Sequence, residues 1–188
     1  LGAGVSGQAA ALLLRSAGAN VTIADESPDT NVLAERLAEV IAAGCKFVSA
    51  PPMLPAQDFK LCVVSPAFVS AHPWLEQCRF RGIQIISELQ LGAQSCSAEI
   101  LAVTGSKGKS SIVKLCSDAF NACGVSASPA GNYGIPLCEL NLKKTSLQWA
   151  VTEVSSFQME STARFAPRIA ILLNLQPDHL DRHPSMTE

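Results

Sequence analysis

The chain has 188 residues, 48% of them apolar and 16% charged, with a formal net charge of −2. That length suits one large domain or two of ordinary size, and so apolar a composition supplies a core and excludes a disordered chain. A balance of 14 basic against 16 acidic residues lacks the basic face of a nucleic-acid binder, so no nucleic acid is expected as a partner and any polyanion must be recognised locally. Apolar runs stop well short of the roughly 18–20 residues of a membrane span, Ala9–Leu14 being cut by Arg15 and Ile169–Leu173 by Asn174, so no membrane is expected either. The seven cysteines are scattered singly with no C-x-x-C pair, which reads as buried free thiols in a reducing compartment such as the cytoplasm.

Leu1–Gly7 reads L-G-A-G-V-S-G and contains the spacing Gly2-x-Gly4-x-x-Gly7, as if a preceding strand were missing. A helix is predicted from Gln8 to about Ala17 with Gly18 as its C-cap, then a strand Val21–Ala24 ending in Asp25. An acid about twenty residues past such glycines reaches a ribose hydroxyl in dinucleotide folds. NAD, another nucleotide's diphosphate and a purely structural turn all remain open for this stretch. Further on, the pattern predicts an amphipathic helix over Asn31–Ala43 and strands at Cys45–Val48 and Leu61–Val64, the latter running into Ser65-Pro66. A helix over Pro73–Arg81 and a strand at Ile83–Ile86 follow. Strands alternating with helices imply an α/β fold with a parallel, Rossmann-like sheet, whose ligand crevice lies beyond the strands' C-terminal ends. The Gly4 turn, Asp25 and Ser65 all fall at such ends.

Glu88–Ser97 combines a short helix with the polar run Gln94–Ser97 and marks a domain boundary near residue 92. Ile100–Val103 is then a buried strand, Thr104–Gly108 a glycine turn, and from Lys109 the residues Ile112, Val113, Cys116, Ala119, Phe120 and Cys123 recur at helical spacing. Strand, glycine turn and helix make a phosphate cradle: backbone N–H groups and the helix dipole face the anion, Lys109 adds a point charge, and the Ser110 hydroxyl can ligate Mg²⁺. The strict G-x-x-x-x-G-K-[ST] pattern is broken only at Val103, which stands where the first glycine belongs. Beyond the helix come strands at Ser126–Pro129 and Trp149–Val154, separated by the turn Gly131–Gly134, and a strand at Ile169–Leu173. Glu153 ends the strand W-A-V-T-E-V, where nucleotide-hydrolysing folds keep an acid for Mg²⁺ and where a charge is poor core filler. The run Asp178-His179-Leu180-Asp181-Arg182-His183 matches no zinc spacing and by itself reads as a solvated polar loop.

Together these motifs resemble the Mur ligases of bacterial peptidoglycan synthesis. The likeness is carried by Thr104–Ser111 (T-G-S-K-G-K-S-S), Gly131-Asn132-Tyr133-Gly134, Glu153–Gln158 (E-V-S-S-F-Q) and Leu173-Asn174 through His183, with Ser65-Pro66, His72-Pro73 and the opening glycines in support. The family's own loop, T-G-T-N-G-K-[ST]-T, also lacks the first glycine. Lys107 stands in place of its asparagine, Ser65-Pro66-Ala67 in place of S-P-G, and Glu26-Ser27 follow Asp25 where an arginine is sometimes found.

The resemblance implies two α/β domains: residues 1–92, a Rossmann-like domain for a UDP-linked substrate with its first strand missing, and residues 93–188, a truncated central ATP-binding domain. It implies an ATP-dependent acid–amino-acid ligase acting through an acyl phosphate. The E-x-S-S-F-Q run points to the branch that joins D-glutamate to UDP-N-acetylmuramoyl-L-alanine. Carried over by position, Gly105, Ser106, Lys107, Gly108, Lys109, Ser110 and Ser111 bind ATP. Ser110 and Glu153 hold Mg²⁺, and His179 serves a second metal and the acceptor. Val5, Ser6, Asp25, Ser65, Asn132 and Gln158 contact the UDP substrate, with Lys109, Glu153 and His179 as the catalytic set. A monomer is expected. The family's carbamylated lysine and amino-acid-binding domain would lie beyond Glu188, so these residues alone are expected to be inactive as a ligase. Another Mur-type ligase, folylpolyglutamate synthase and a non-catalytic nucleotide-binding paralogue stay open as alternatives.

Overall fold

A computed structural model of the chain describes residues 1–27, 37–143, 146–179 and 185. The first half runs α1 (Val5–Ser16), β1 (Thr22–Asp25), a helical stretch at 37–42, β2 (Lys46–Ser49), β3 (Leu61–Val64), α2 (Pro73–Phe80) and β4 (Gln84–Ser87). The second runs α3 (Glu88–Ser95), β5 (Glu99–Thr104), α4 (Lys109–Ala122), β6 (Ala127–Gly131), α5 (Leu137–Leu142), β7 (Trp149–Glu153), α6 (Ser156–Met159) and β8 (Ile169–Leu172). Among the described residues every strand pairing is parallel, as strand–helix alternation requires. Residues 31–36 of the helix expected over Asn31–Ala43 lie outside the described residues, as do residues 180–183 of the acid–histidine run.

The second half is built on one sheet, ordered β6-β7-β5-β8. Side chains alternate across its central strand β5. Leu101 and Val103 pack with Val113 of α4 and Val151 of β7, while Ile100 and Ala102 pack with Leu89 of α3 and Leu137 and Leu140 of α5. Burial on both faces explains why β5 reads as a continuous apolar run. The C-terminal ends of all four strands lie on one side, so the phosphate turn after β5, Gly131 ending β6, Glu153 ending β7 and the segment after β8 share one edge of the sheet.

The first half is α/β with parallel pairing throughout its described strands, as expected. Its strands form two separate ladders, β1–β2 and β3–β4. Leu1 and Gly2 bridge them at one end: Gly2 N donates to Ala24 O (2.8 Å), and Ser65 N donates to Leu1 O (2.9 Å). Alongside, a cavity of about 340 Å³ runs between the ladders, lined by residues that include Ala11, Ile23, Cys62 and Cys78. Helix α1 begins at Val5 rather than Gln8, which brings Gly7 inside it. A Cβ on Gly7 would come within 1.9 Å of Gly2 O, so the third glycine is what lets the helix start directly on the turn. Of the cysteines expected to be buried, Cys45, Cys62, Cys78 and Cys138 are, whereas Cys123 is exposed at the C-cap of α4. No helix among the described residues is long and apolar enough to cross a membrane.

Helix α5, which the sequence reading missed, joins the halves. It packs on α3, and Cys138 shares a core cluster with Ala9, Ala10, Ile86 and Leu91. The α3–α5 contact is close: a Cβ at Gly92 would meet Leu137 Cβ at 2.8 Å and Cys138 N at 2.9 Å. Because two of the three nearest atoms are backbone, Gly92→Ala is expected to destabilise the fold by about 2 kcal/mol, as overpacked cores do. Urea unfolding reads this directly, and a midpoint unchanged from the parent would contradict so tight a contact.

Glu88, only 2% exposed, caps α5 across the same contact, its Oε1 accepting from Cys138 N at 2.7 Å. Burial raises its carboxyl above the ordinary value, and the Cys138 and Leu137 donors offset part of that. A raised folded-state value means that the native protein holds the proton more tightly than the unfolded chain does. This contribution is full below the ordinary carboxylate value of about 4.3 and declines as pH rises through the raised one. Glu88→Gln is expected to remove that decline, so its stability relative to the parent should increase between pH 5 and pH 8. Parallel denaturation curves at the two pH values would refute this.

Candidate active site

Glycine sets the shape of the turn between β5 and α4. Gly105 (φ +142°) and Gly108 (φ +86°) hold backbone angles that other residues rarely adopt, and α4 starts directly at Lys109. Lys109 curls back over the turn, its Nζ donating to Gly105 O (2.7 Å) and Ser106 O (3.1 Å). One residue on, Ser110 Oγ donates to Glu153 Oε2 at 2.7 Å. The other oxygen of Glu153 accepts from Asn132 Nδ2 at 2.9 Å, and Asn132 N donates to Glu153 O at 3.1 Å.

Glu153 is thus 3% exposed and held by a hydroxyl and an amide, and no cation pairs with it among the described residues. A buried carboxylate beside a hydroxyl, both at a phosphate-binding turn, is an all-oxygen donor set of the kind Mg²⁺ takes. These groups line a cavity of about 300 Å³ whose walls include Lys107, Lys109, Ser110, Asn132, Glu153 and His179. His179 takes a left-handed backbone (φ +49°), and its ring stands edge-on to Phe157 at 5.4 Å between centroids. Among the described residues, no group of three or more His, Cys, Asp or Glu side chains is gathered in the manner of a transition-metal centre.

Most of the second-half residues singled out in the sequence therefore meet at one cavity: Ser106 to Ser111, Asn132, Glu153 and His179. Gly105 lies behind it, its backbone apposed to Leu173 and Asn174. Gln158 points elsewhere. It is 3% exposed, its Oε1 accepts from Ser155 N (2.8 Å) in a capping box at the start of α6, and it lines a small crevice with Ser65 and Glu88. Ser155 and Phe157 were missed, although both stand in the E-V-S-S-F-Q run. They line the main cavity, and Phe157 borders the small crevice as well.

In the first half the glycine turn, Asp25 and Ser65 do come together. A Cβ on Gly2 would lie 2.8 Å from Ser65 Cβ, and Asp25 Oδ2 accepts from Ala3 N at 2.6 Å. Asp25 Oδ1 accepts from Ser27 N at 2.9 Å, so both of its oxygens brace backbone. Val5 is exposed and Ser6 half-buried in the first turn of α1. Nearby, His72 Nδ1 accepts from Trp74 N, which leaves Nε2 to donate to Glu26 Oε1 at 2.9 Å.

Residues 103–188 match the family model of the Mur ligase middle domain. The chain is 40% identical over 191 residues to a UDP-N-acetylmuramoylalanine–D-glutamate ligase of Acidobacterium capsulatum, covering 98% of this chain and 40% of that protein. It is 36% identical over 184 residues to the ligase of the same name in Koribacter versatilis, covering 97% of this chain and again 40% of that protein. The chain thus spans about two fifths of the length of the curated relatives it matches. Among solved structures, the UDP-N-acetylmuramate:L-alanyl-γ-D-glutamyl-meso-diaminopimelate ligase of Neisseria meningitidis superposes with a TM-score of 0.54 at 16% identity, over 97% of this chain and 60% of that one, a likeness of fold.

Proposed function

This chain belongs to the Mur ligase family, and we propose that it is the nucleotide- and acceptor-binding part of an ATP-dependent ligase that joins D-glutamate to UDP-N-acetylmuramoyl-L-alanine. The observation that carries the reading is the Ser110–Glu153–Asn132 cluster set against the Lys109 turn in one cavity. The chemistry asked of such a site is activation of a carboxylate, a poor electrophile, by transfer of the γ-phosphoryl group of ATP to one of its oxygens. The acyl phosphate so formed has phosphate as leaving group, and the incoming amine displaces it to make the amide.

Residues 93–188 hold the nucleotide in this reading, and residues 1–92 hold the UDP end of the acceptor. Gly105–Ser111 cradle the phosphates. The Lys109 ammonium, turned from the carbonyls it now meets, neutralises charge on the phosphoryl oxygens as it is transferred. Ser110 and Glu153 are the residues that would hold Mg²⁺, which supplies further neutralisation of phosphate charge when bound. Asn132 orients Glu153 through its amide and, in this reading, meets the acceptor from the same cavity. His179, which lines the same cavity with its ring edge-on to Phe157, takes the acceptor carboxylate in this reading. In this reading Val5, Ser6 and Ser65 contact the UDP group, and Asp25 supports them by holding Ala3 and Ser27 in place. The protein works in the cytoplasm as a monomer.

Phosphate release by the full-length polypeptide, with ATP, Mg²⁺ and UDP-N-acetylmuramoyl-L-alanine present, tests this. Release should require D-glutamate and be negligible with L-glutamate or a diamino acid. Release that depends instead on a folate, or on none of these amino acids, would overturn the assignment.

A further inference from the structure

Asn174 follows β8 and has no part in the chemistry above, yet it makes two hydrogen bonds to one residue of the phosphate turn. Its Oδ1 accepts from Lys107 N (2.9 Å), and its Nδ2 donates to Lys107 O (3.0 Å). A planar carboxamide pairs in this way with the N–H and C=O of a single residue, and only asparagine or glutamine carries both groups. The backbone of Asn174 adds a third bond, its carbonyl accepting from Ser106 N at 3.1 Å. The Ser106 hydroxyl continues the lacing, donating to Gln176 O and accepting from Gln176 N, each at 2.8 Å. At the far end Lys107 Nζ meets Asp178 Oδ2 at 3.3 Å, while Asp178 Oδ1 accepts from His179 N at 3.1 Å.

The amides of Ser106 and Lys107 are thus engaged by Asn174, and the N–H groups that the cradle turns to phosphate are those of Gly108 and the first turn of α4, whose leading N–H groups have no partner within the helix. Gly105 permits the arrangement, since a Cβ there would come within 3.1 Å of the Asn174 backbone.

We propose that Asn174 is a positioning residue: with Ser106 and Asp178 it straps the 174–179 segment to the phosphate turn, so that the cradle and His179 form one preorganised body. The proposal rests on the nucleotide reading of the cavity and adds to it a residue that touches neither phosphate nor metal. The strap's bonds are largely exposed, so water can replace those that a substitution removes. Their loss alters the shape of the turn much more than it alters stability.

The test is calorimetric titration of the full-length protein with Mg-ATP, beside thermal unfolding and amide hydrogen exchange of the nucleotide-free protein. Asn174→Ala should weaken ATP binding by about tenfold or more, shift the unfolding midpoint by no more than about 3 °C, and abolish exchange protection at the Lys107 amide. Asn174→Asp, which keeps size and acceptor but loses the donor, should fall between the two and guards against a misfolded alanine variant. A merely structural asparagine would lower the midpoint and leave the affinity of the folded fraction unchanged. If the parent binds Mg-ATP and both variants bind it within twofold, the strap is refuted and the nucleotide reading stands. If the parent itself does not bind Mg-ATP, that reading falls and takes the strap with it.

Discussion

Replacing Lys109 with methionine is expected to lower D-glutamate-dependent phosphate release by at least about a thousandfold, equivalent to about 4 kcal/mol of lost transition-state stabilisation. Methionine keeps the length and much of the bulk of the side chain and removes the charge. Among the described residues that charge is met by neutral acceptors, Gly105 O and Ser106 O, both belonging to the turn itself. The ammonium is therefore held at the cradle by contacts that cost little to exchange for a phosphate oxygen. Since those contacts are ordinary hydrogen bonds to a charged donor, the same substitution should cost the fold only about 1–2 kcal/mol. Steady-state rates beside a urea curve separate the two effects. Less than a tenfold loss of rate would mean that Lys109 does not carry the phosphoryl charge.

Gly131→Ala is the second large effect, and it acts on fold and site together. Gly131 sits at φ +89°, a conformation that costs a non-glycine residue about 1–3 kcal/mol. An added Cβ would also fall 2.3 Å from Glu153 O and 2.9 Å from Thr152 Cγ2, against the neighbouring strand β7. Together these predict a loss of about 4 kcal/mol, a large part of the roughly 5–15 kcal/mol that holds an ordinary domain together. The strand ends must part to relieve the overlap, and the next residue is Asn132, whose backbone and side chain both hold Glu153. Mg-ATP affinity of the folded fraction should fall with stability. A urea midpoint lowered by less than about 1 kcal/mol equivalent would show that the strand ends have slack, and that Glu153 is not held as tightly as these contacts require.

The phosphate turn was legible because its chemistry is local: glycine, lysine and hydroxyl stand adjacent in sequence, after a strand whose apolar run reflects burial on both faces. Glu153 was legible for the opposite reason, a charge placed where an apolar residue belongs. Other features depend on contacts that leave no pattern. Helix α5 spans only Leu137–Leu142 and starts after Pro136, too short for helical periodicity to emerge. The capping bond of Gln158 at the start of α6 was not legible, because it depends on where the chain turns after β7. The backbone N–H groups of Ala3 and Ser27 that Asp25 accepts from were likewise not legible, since they depend on how the glycine turn meets β1. Asn174 stood in a recognised motif with no role, because a side chain that pairs with the backbone of residue 107 makes no demand on that residue's identity.

Oxygen transfer tests the central claim most directly. Full-length protein would be supplied with ATP, Mg²⁺, D-glutamate and UDP-N-acetylmuramoyl-L-alanine labelled with ¹⁸O in its alanyl carboxylate, and the released phosphate examined by mass spectrometry. Activation of that carboxylate by phosphoryl transfer carries one of its oxygens into phosphate, so each turnover should release phosphate bearing a single ¹⁸O atom. Unlabelled phosphate, or the label recovered in AMP, would contradict an acyl phosphate formed at the Lys109–Glu153 cavity.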